Sequence, residues 1–208
     1  RMHVVGVTYS DDFPTTANAY DGSFNGDLDA YLLVLDADGA SLVYGSYYGT
    51  PGMDDFVNVV VDASGDPLIA GYTKDGTFPT TEGAYCRTYG GSSDFVLLKV
   101  SIDQGTLLFS TFIGGSGIEM AYNIDIVLDS NDDFWLSATT GSNDFPTTTG
   151  AYDESYNGDN DSFVCKISAN GSELLHSTYF GASGLDGSGP LMRDGAGDLW
   201  LVGATDSR

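Results

Sequence analysis

A chain of 208 residues with 41% hydrophobic content can bury a sizeable core, and its 13 Tyr and 11 Phe favour strands. Glycine is frequent at 28 and proline scarce at 6, which suits short strands joined by tight turns; no stretch holds a helical period long enough for a helix. The 30 acidic and 7 basic residues leave a net charge of −23, which repels nucleic acid and anionic lipid and excludes both as partners. No apolar run reaches the ~18 residues a membrane-spanning helix needs, so no membrane insertion is expected.

The chain opens at Arg1 on an apolar strand, residues 3–8, with no signal peptide, and reads as a piece of something longer. Asp12-Phe13-Pro14-Thr15-Thr16 follows, then Ala19-Tyr20 and a connection rich in Tyr and Gly. Strands are predicted over 29–39 (with the turn at Gly39), 42–49, 56–62 and 67–73. The same order returns after Phe78-Pro79-Thr80-Thr81 and Ala84-Tyr85, over 93–105, 107–114, 122–129 and 134–140. It returns again after Phe145-Pro146-Thr147-Thr148 and Ala151-Tyr152, over 161–171, 174–181, 190–194 and 199–205. Gly39, Gly105 and Gly171 mark a period of about 66 residues. The prolines are expected to fix turns while the adjacent Phe tucks between blades.

Each period holds four strands in two hairpins, whose Asp-Gly, Gln-Gly, Asn-Gly and Ser-Gly turns tolerate positive φ. That is the plan of a β-propeller blade. The predicted fold is therefore all-β, with about three tandem four-stranded antiparallel repeats. Residues 1–8 are the last strand of a preceding repeat, and the repeats run approximately over 9–73, 74–140 and 141–208, all in one propeller fragment. Closed propellers have roughly four to eight blades, so the edges at 2–8 and 199–205 are expected to join other blades or copies of the same protein.

The strings Ser-Thr-Phe-Ile-Gly-Gly-Ser-Gly at 110–117, Phe-Pro-Thr-Thr-Glu-Gly-Ala-Tyr at 78–85, Asp-Phe-Val-Leu-Leu-Lys at 94–99, Ser-Thr-Tyr-Phe-Gly-Ala-Ser-Gly at 177–184 and Phe-Pro-Thr-Thr-Thr-Gly-Ala-Tyr at 145–152 carry a resemblance. They resemble the SBBP-type β-propeller repeat of secreted and cell-surface bacterial and archaeal proteins, over essentially the whole chain. The first period departs from it: Ala17-Asn18 precedes Ala19-Tyr20, and Val34 stands where a Lys is expected. In the third, Pro190 enters a strand that should be apolar, which predicts an edge or a bulge. The resemblance implies architecture and an extracellular or cell-surface location beside adhesion-type modules, and it carries no catalytic residues.

Chemistry is sparse. His3 sits near the chain start, and His176 takes a strand position equivalent to Phe109 and Tyr44, so it reads as a large strand side chain rather than a base. No pair among the many Asp is singled out for glycoside hydrolysis, and sialidase Asp-boxes, tryptophan-aspartate repeats and integrin-type calcium loops are absent. Two readings stand for Asp27 and Asp29 and for Asp159 and Asp161. Alternating oxygens about a glycine turn can hold Ca2+, or they open the next strand as Asx-turns; the middle period keeps Asp94 alone. Cys86 and Cys165 read as two free thiols or as a bridge. The sequons at Asn160 and Asn170 read equally as turns. The expected function is a non-catalytic structural or adhesive extracellular module, binding protein or glycan through its loops. The alternative is part of a propeller enzyme acting on glycans.

Overall fold

The computed structural model describes residues 1–208 and is all-β, with thirteen strands and no helix. They are β1 (Met2–Thr8), β2 (Asp29–Leu35), β3 (Leu42–Tyr48), β4 (Asp54–Val61), β5 (Pro67–Thr73), β6 (Asp94–Ser101), β7 (Thr106–Ile113), β8 (Glu119–Leu128), β9 (Phe134–Thr140), β10 (Asp161–Ile167), β11 (Leu174–Phe180), β12 (Asp186–Arg193) and β13 (Leu199–Thr205). Four antiparallel sheets result, ordered β1-β2-β3, β4-β5-β6-β7, β8-β9-β10-β11 and β12-β13. The sheets are offset by two strands from the sequence periods. The sheet β4–β7 takes β4 and β5 from one period and β6 and β7 from the next.

Side-chain alternation explains how the sheets stack. On β6, Val96, Leu98 and Val100 face one way and join Ala30, Leu32, Tyr44 and Tyr48 of the first sheet in one core. Phe95 and Leu97 face the other way and meet Phe134, Phe163, Cys165 and Ile167 of the third sheet in a second core. A strand covered on both faces should be apolar at nearly every position. β5, Pro-Leu-Ile-Ala-Gly-Tyr-Thr, is buried along its whole length.

The long connection from the second to the third strand of each sheet is tied down by its Phe-Pro-Thr-Thr motif. The second Thr clips onto the fourth strand: Thr81 N–H donates to Ser110 O at 3.1 Å and Thr81 Oγ1 accepts from Ser110 N–H at 2.9 Å. Thr148 repeats this with Ser177, and Thr16 with Gly45. Phe78 and Phe145 are buried in the two cores, between sheets as expected. The connection also reaches the next sheet, where Asn18 Nδ2 donates to Ile102 O at 2.8 Å and Tyr85 N–H donates to Gly171 O at 2.8 Å. The turn glycines Gly39, Gly105 and Gly171 adopt positive φ of 73°, 65° and 73°. At Gly105 any Cβ would also run into the Asn18 carbonyl, so glycine is required there twice over.

The first strands β4, β8 and β12 run next to one another, and each is bulged. The bulge expected at Pro190 is present between Ser188 and Leu191. Those between Phe56 and Asn58 and between Met120 and Asp125 were not expected. All three strands start earlier than hydropathy suggests, because each opens on an acid: Asp54, Glu119 and Asp186.

Candidate functional site

Polar chemistry concentrates where the three first strands meet. The β8 bulge turns Asp125 toward both neighbours. Its Oδ1 accepts from Asn58 Nδ2 at 2.6 Å and from Ile126 N–H at 2.9 Å, and its Oδ2 accepts from Leu191 N–H at 2.7 Å. One carboxylate thus ties β4, β8 and β12 together. The small cavity beside it, about 200 Å³, is lined by Asn58, Asn123, Asp125 and Pro190.

A second concentration lies at the junctions between sheets. Isolated parallel bridges join Leu28 to Met53, Ser93 to Ile118 and Asn160 to Leu185. The residues that follow are seated side by side: Asp29 with Asp54, Asp94 with Glu119, Asp161 with Asp186. All six acids are buried. Each caps a loop: Asp29 Oδ2 accepts from Asn25 N–H at 2.9 Å, Asp94 Oδ2 from Gly90 N–H at 2.8 Å and Asp161 Oδ2 from Asn157 N–H at 2.8 Å. Across each junction, Glu119 Oε1 accepts from Gly115 N–H and Ser142 Oγ, and Asp186 Oδ2 from Ala182 N–H. Asp29 Oδ1, Asp94 Oδ1, Asp161 Oδ1 and Glu119 Oε2 have no hydrogen-bond partner. Burial pushes Asp29, Asp54, Asp94, Glu119 and Asp161 above the usual carboxylate range.

Asp54 is the most heavily bonded of the six. It accepts from Thr50 N–H at 2.6 Å, Thr50 Oγ1 at 2.7 Å and Thr73 Oγ1 at 2.5 Å. Asp54→Ala strands three buried donors and is expected to lose about 3 kcal/mol of unfolding free energy in urea titration. A loss under ~1 kcal/mol would show that water replaces the carboxylate.

The structure places the four residues singled out for calcium in two environments. Asp29 and Asp161 turn into the junctions, whereas Asp27 and Asp159 are exposed on the loops. The junction acids face one another in twos, and no group of three or more His, Cys, Asp or Glu side chains is arranged to hold a metal ion. Sequence reasoning missed Asp54, Glu119 and Asp186. The available signal was an acid opening a strand that pairs with a terminal Thr: Asp54 with Thr73, Glu119 with Thr140, Asp186 with Thr205. Cys86 and Cys165 are free, and burial drives the Cys165 thiol far up. His176 lies opposite Lys166 with its ring 6.0 Å from that of Trp135. The Asn170 sequon forms a turn, its Oδ1 accepting from Ser168 and Ser172 hydroxyls.

A groove of about 530 Å³ separates the sheet β8–β11 from the two-stranded sheet β12–β13. His176, Trp135, Val164 and Phe180 line one wall, and Leu191 and Leu201 the other. No protein-family model matches the chain, and no curated protein matches it.

Proposed function

We propose that this chain is a non-catalytic structural or adhesive β-propeller module of the SBBP-repeat kind, part of a larger extracellular or cell-surface protein, binding protein or glycan through its loops. The observation that carries the reading is Asp125. An enzyme of this architecture needs acids or bases free to exchange protons where the first strands meet, and the carboxylate that joins β4, β8 and β12 there, Asp125, is instead engaged by three donors that hold the strands together. The sheets pack against one another through apolar cores, and their bulged first strands β4, β8 and β12 lie side by side, which suits blades. The connections meanwhile expose an aromatic platform: Tyr152 is exposed and stacks at 5.6 Å on Phe180, itself part-exposed. Stacked exposed rings of this kind suit sugar faces and protein hot spots.

The test sets binding against turnover. The chain is passed over immobilised polysaccharides and extracellular matrix proteins, and the same polysaccharides are assayed for new reducing or unsaturated ends. Retention without turnover, weakened by Tyr152→Ala, is the expected result. Turnover abolished by Asp125→Asn would make the chain an enzyme and overturn the reading.

A further inference from the structure

Each junction between sheets seats two buried acids, but the middle one is built differently from the others. At the first, Asp54 accepts from Thr50 N–H, Thr50 Oγ1 and Thr73 Oγ1. At the third, Asp186 accepts from Ala182 N–H and Ser207 Oγ. Glu119 stands where those junctions have Asp. Its Oε1 takes both donors on offer, Gly115 N–H at 2.8 Å and Ser142 Oγ at 2.6 Å. Oε2 of Glu119 and Oδ1 of Asp94 beside it are both buried and both without a hydrogen-bond partner. Each side chain belongs to a residue only 1% exposed. In the other two junctions an oxygen is stranded on one acid of the pair, Asp29 or Asp161; here one is stranded on each.

The two acids close over Gly114. A Cβ there would lie 2.9 Å from Asp94 Oδ1 and 3.2 Å from Glu119 Cγ, so a side chain at this position would intrude between them. Two neutral oxygens stand close by. The Gly115 carbonyl accepts no hydrogen bond from the chain. It and Asp94 Oδ1 lie 2.6 and 3.7 Å from a single point, the place a Cβ on Gly90 would take. Thr140, opposite Glu119 in the ladder, brings its hydroxyl near that carboxylate without closing a bond to Oε2.

Charge decides what belongs between the acids. Two neighbouring carboxylates withdrawn from water repel one another and lose their hydration. Burial raises both carboxyls. No cation of the chain answers them: Lys99 pairs with Asp62, and Lys166 with Asp129 and Asp133. A divalent ion balances the pair, whereas a monovalent ion leaves one charge over. Ca2+ accepts carboxylate and carbonyl oxygens in irregular numbers and angles, while Mg2+ demands a near-ideal octahedron and gives up its waters reluctantly.

We propose that the middle junction binds one Ca2+ between Asp94 Oδ1 and Glu119 Oε2, with the Gly115 carbonyl and the Thr140 hydroxyl as neutral donors. The ion ties β6 to β8, and so the second sheet to the third. With only two acids in the site, neutral oxygens complete its coordination. The place is distinct from the loop acids Asp27 and Asp159, which are exposed. The inference goes beyond the module reading and does not rest on it.

The test adds Ca2+ alone to the full 208-residue chain after treatment with a chelator, and follows calorimetric titration and thermal melting. One saturable site and a rise in melting temperature are expected. Glu119→Gln should abolish both. Its carboxamide oxygen keeps the bonds from Gly115 and Ser142, and its amide nitrogen can donate to Asp94 Oδ1. The metal-free variant is therefore expected to fold and to melt above the metal-free wild type. Asp94→Asn is the second variant and should also lose the site, whereas Asp27→Asn should leave it unchanged. The absence of a saturable site in the wild type overturns the proposal. So does a Ca2+ response that survives both Glu119→Gln and Asp94→Asn, or an equal response to Mg2+, because either marks screening of the −23 surface charge. Loss of the site with Asp27→Asn alone would move the ion to the loop and overturn it as well. The module reading is tested separately, by retention and turnover, and stands whichever result is found.

Discussion

Phe163→Ala is expected to lose about 3–5 kcal/mol of unfolding free energy, the range for removing a large aromatic from a close-packed core. The ring is fully buried, with centroids 4.1 Å from Phe145 and 5.4 Å from Phe95. It is therefore the contact through which the third sheet, its long connection and the second sheet hold one another. Phe180→Ala supplies the comparison. That ring is 40% exposed on the groove, and its removal should lose about 1 kcal/mol or less. Urea titrations of the two variants, with unchanged slope, check the pair. Equal losses would mean that the core between the second and third sheets is no tighter than the groove, contrary to the packing described.

Stability is expected to peak on the acid side of neutrality. Asp29, Asp54, Asp94, Glu119 and Asp161 are all raised by burial. A carboxyl raised in the folded state binds more protons folded than unfolded just above the usual carboxylate range, so unfolding free energy falls as pH rises through that window. Lowering the pH from about 7.5 toward that window therefore raises the melting temperature, helped by relief of the −23 net charge. Further acidification reverses the trend. Burial works against the Asp62 and Asp129 carboxylates too, but Lys99 and Lys166 outweigh it and hold both below their usual values. Their contribution is lost as pH falls through those lowered values. Thermal melts across a pH series check the shape. Glu119→Gln should flatten the neutral limb while leaving the acid limb in place; a wild-type curve that climbs steadily up to pH 7.5 would refute the assignment.

Strand positions were largely legible because hydrophobic alternation and turn glycines report local geometry. The glycines expected at turns do adopt positive φ, and His176 does lie in register with Phe109 and Tyr44, opposite a third-strand residue in each case. Sheet membership was less legible. β5 and β6 pair across a connection of twenty residues, 74–93, and a period in sequence does not say which neighbours hydrogen-bond. The junction acids were hidden for a different reason. Hydropathy places carboxylates outside, yet Asp54 and Glu119 sit inside because loop amides and Thr or Ser hydroxyls satisfy most of their oxygens. In Gly-Asp-x-Asp, one acid of each pair turns inward to cap the loop and the other stays in water, a division that composition alone does not reveal.

The two-strand offset between sequence period and sheet has a mechanical consequence. Every period lends one hairpin to one sheet and its second hairpin to the next, so the sheets are laced together by covalent chain as well as by their apolar faces. Neither inner sheet, β4–β7 or β8–β11, can be undone without drawing out hairpins of two successive periods. Force is shared along the stack, as in a crossed-over seam, and the chain is expected to give way in one cooperative event rather than sheet by sheet.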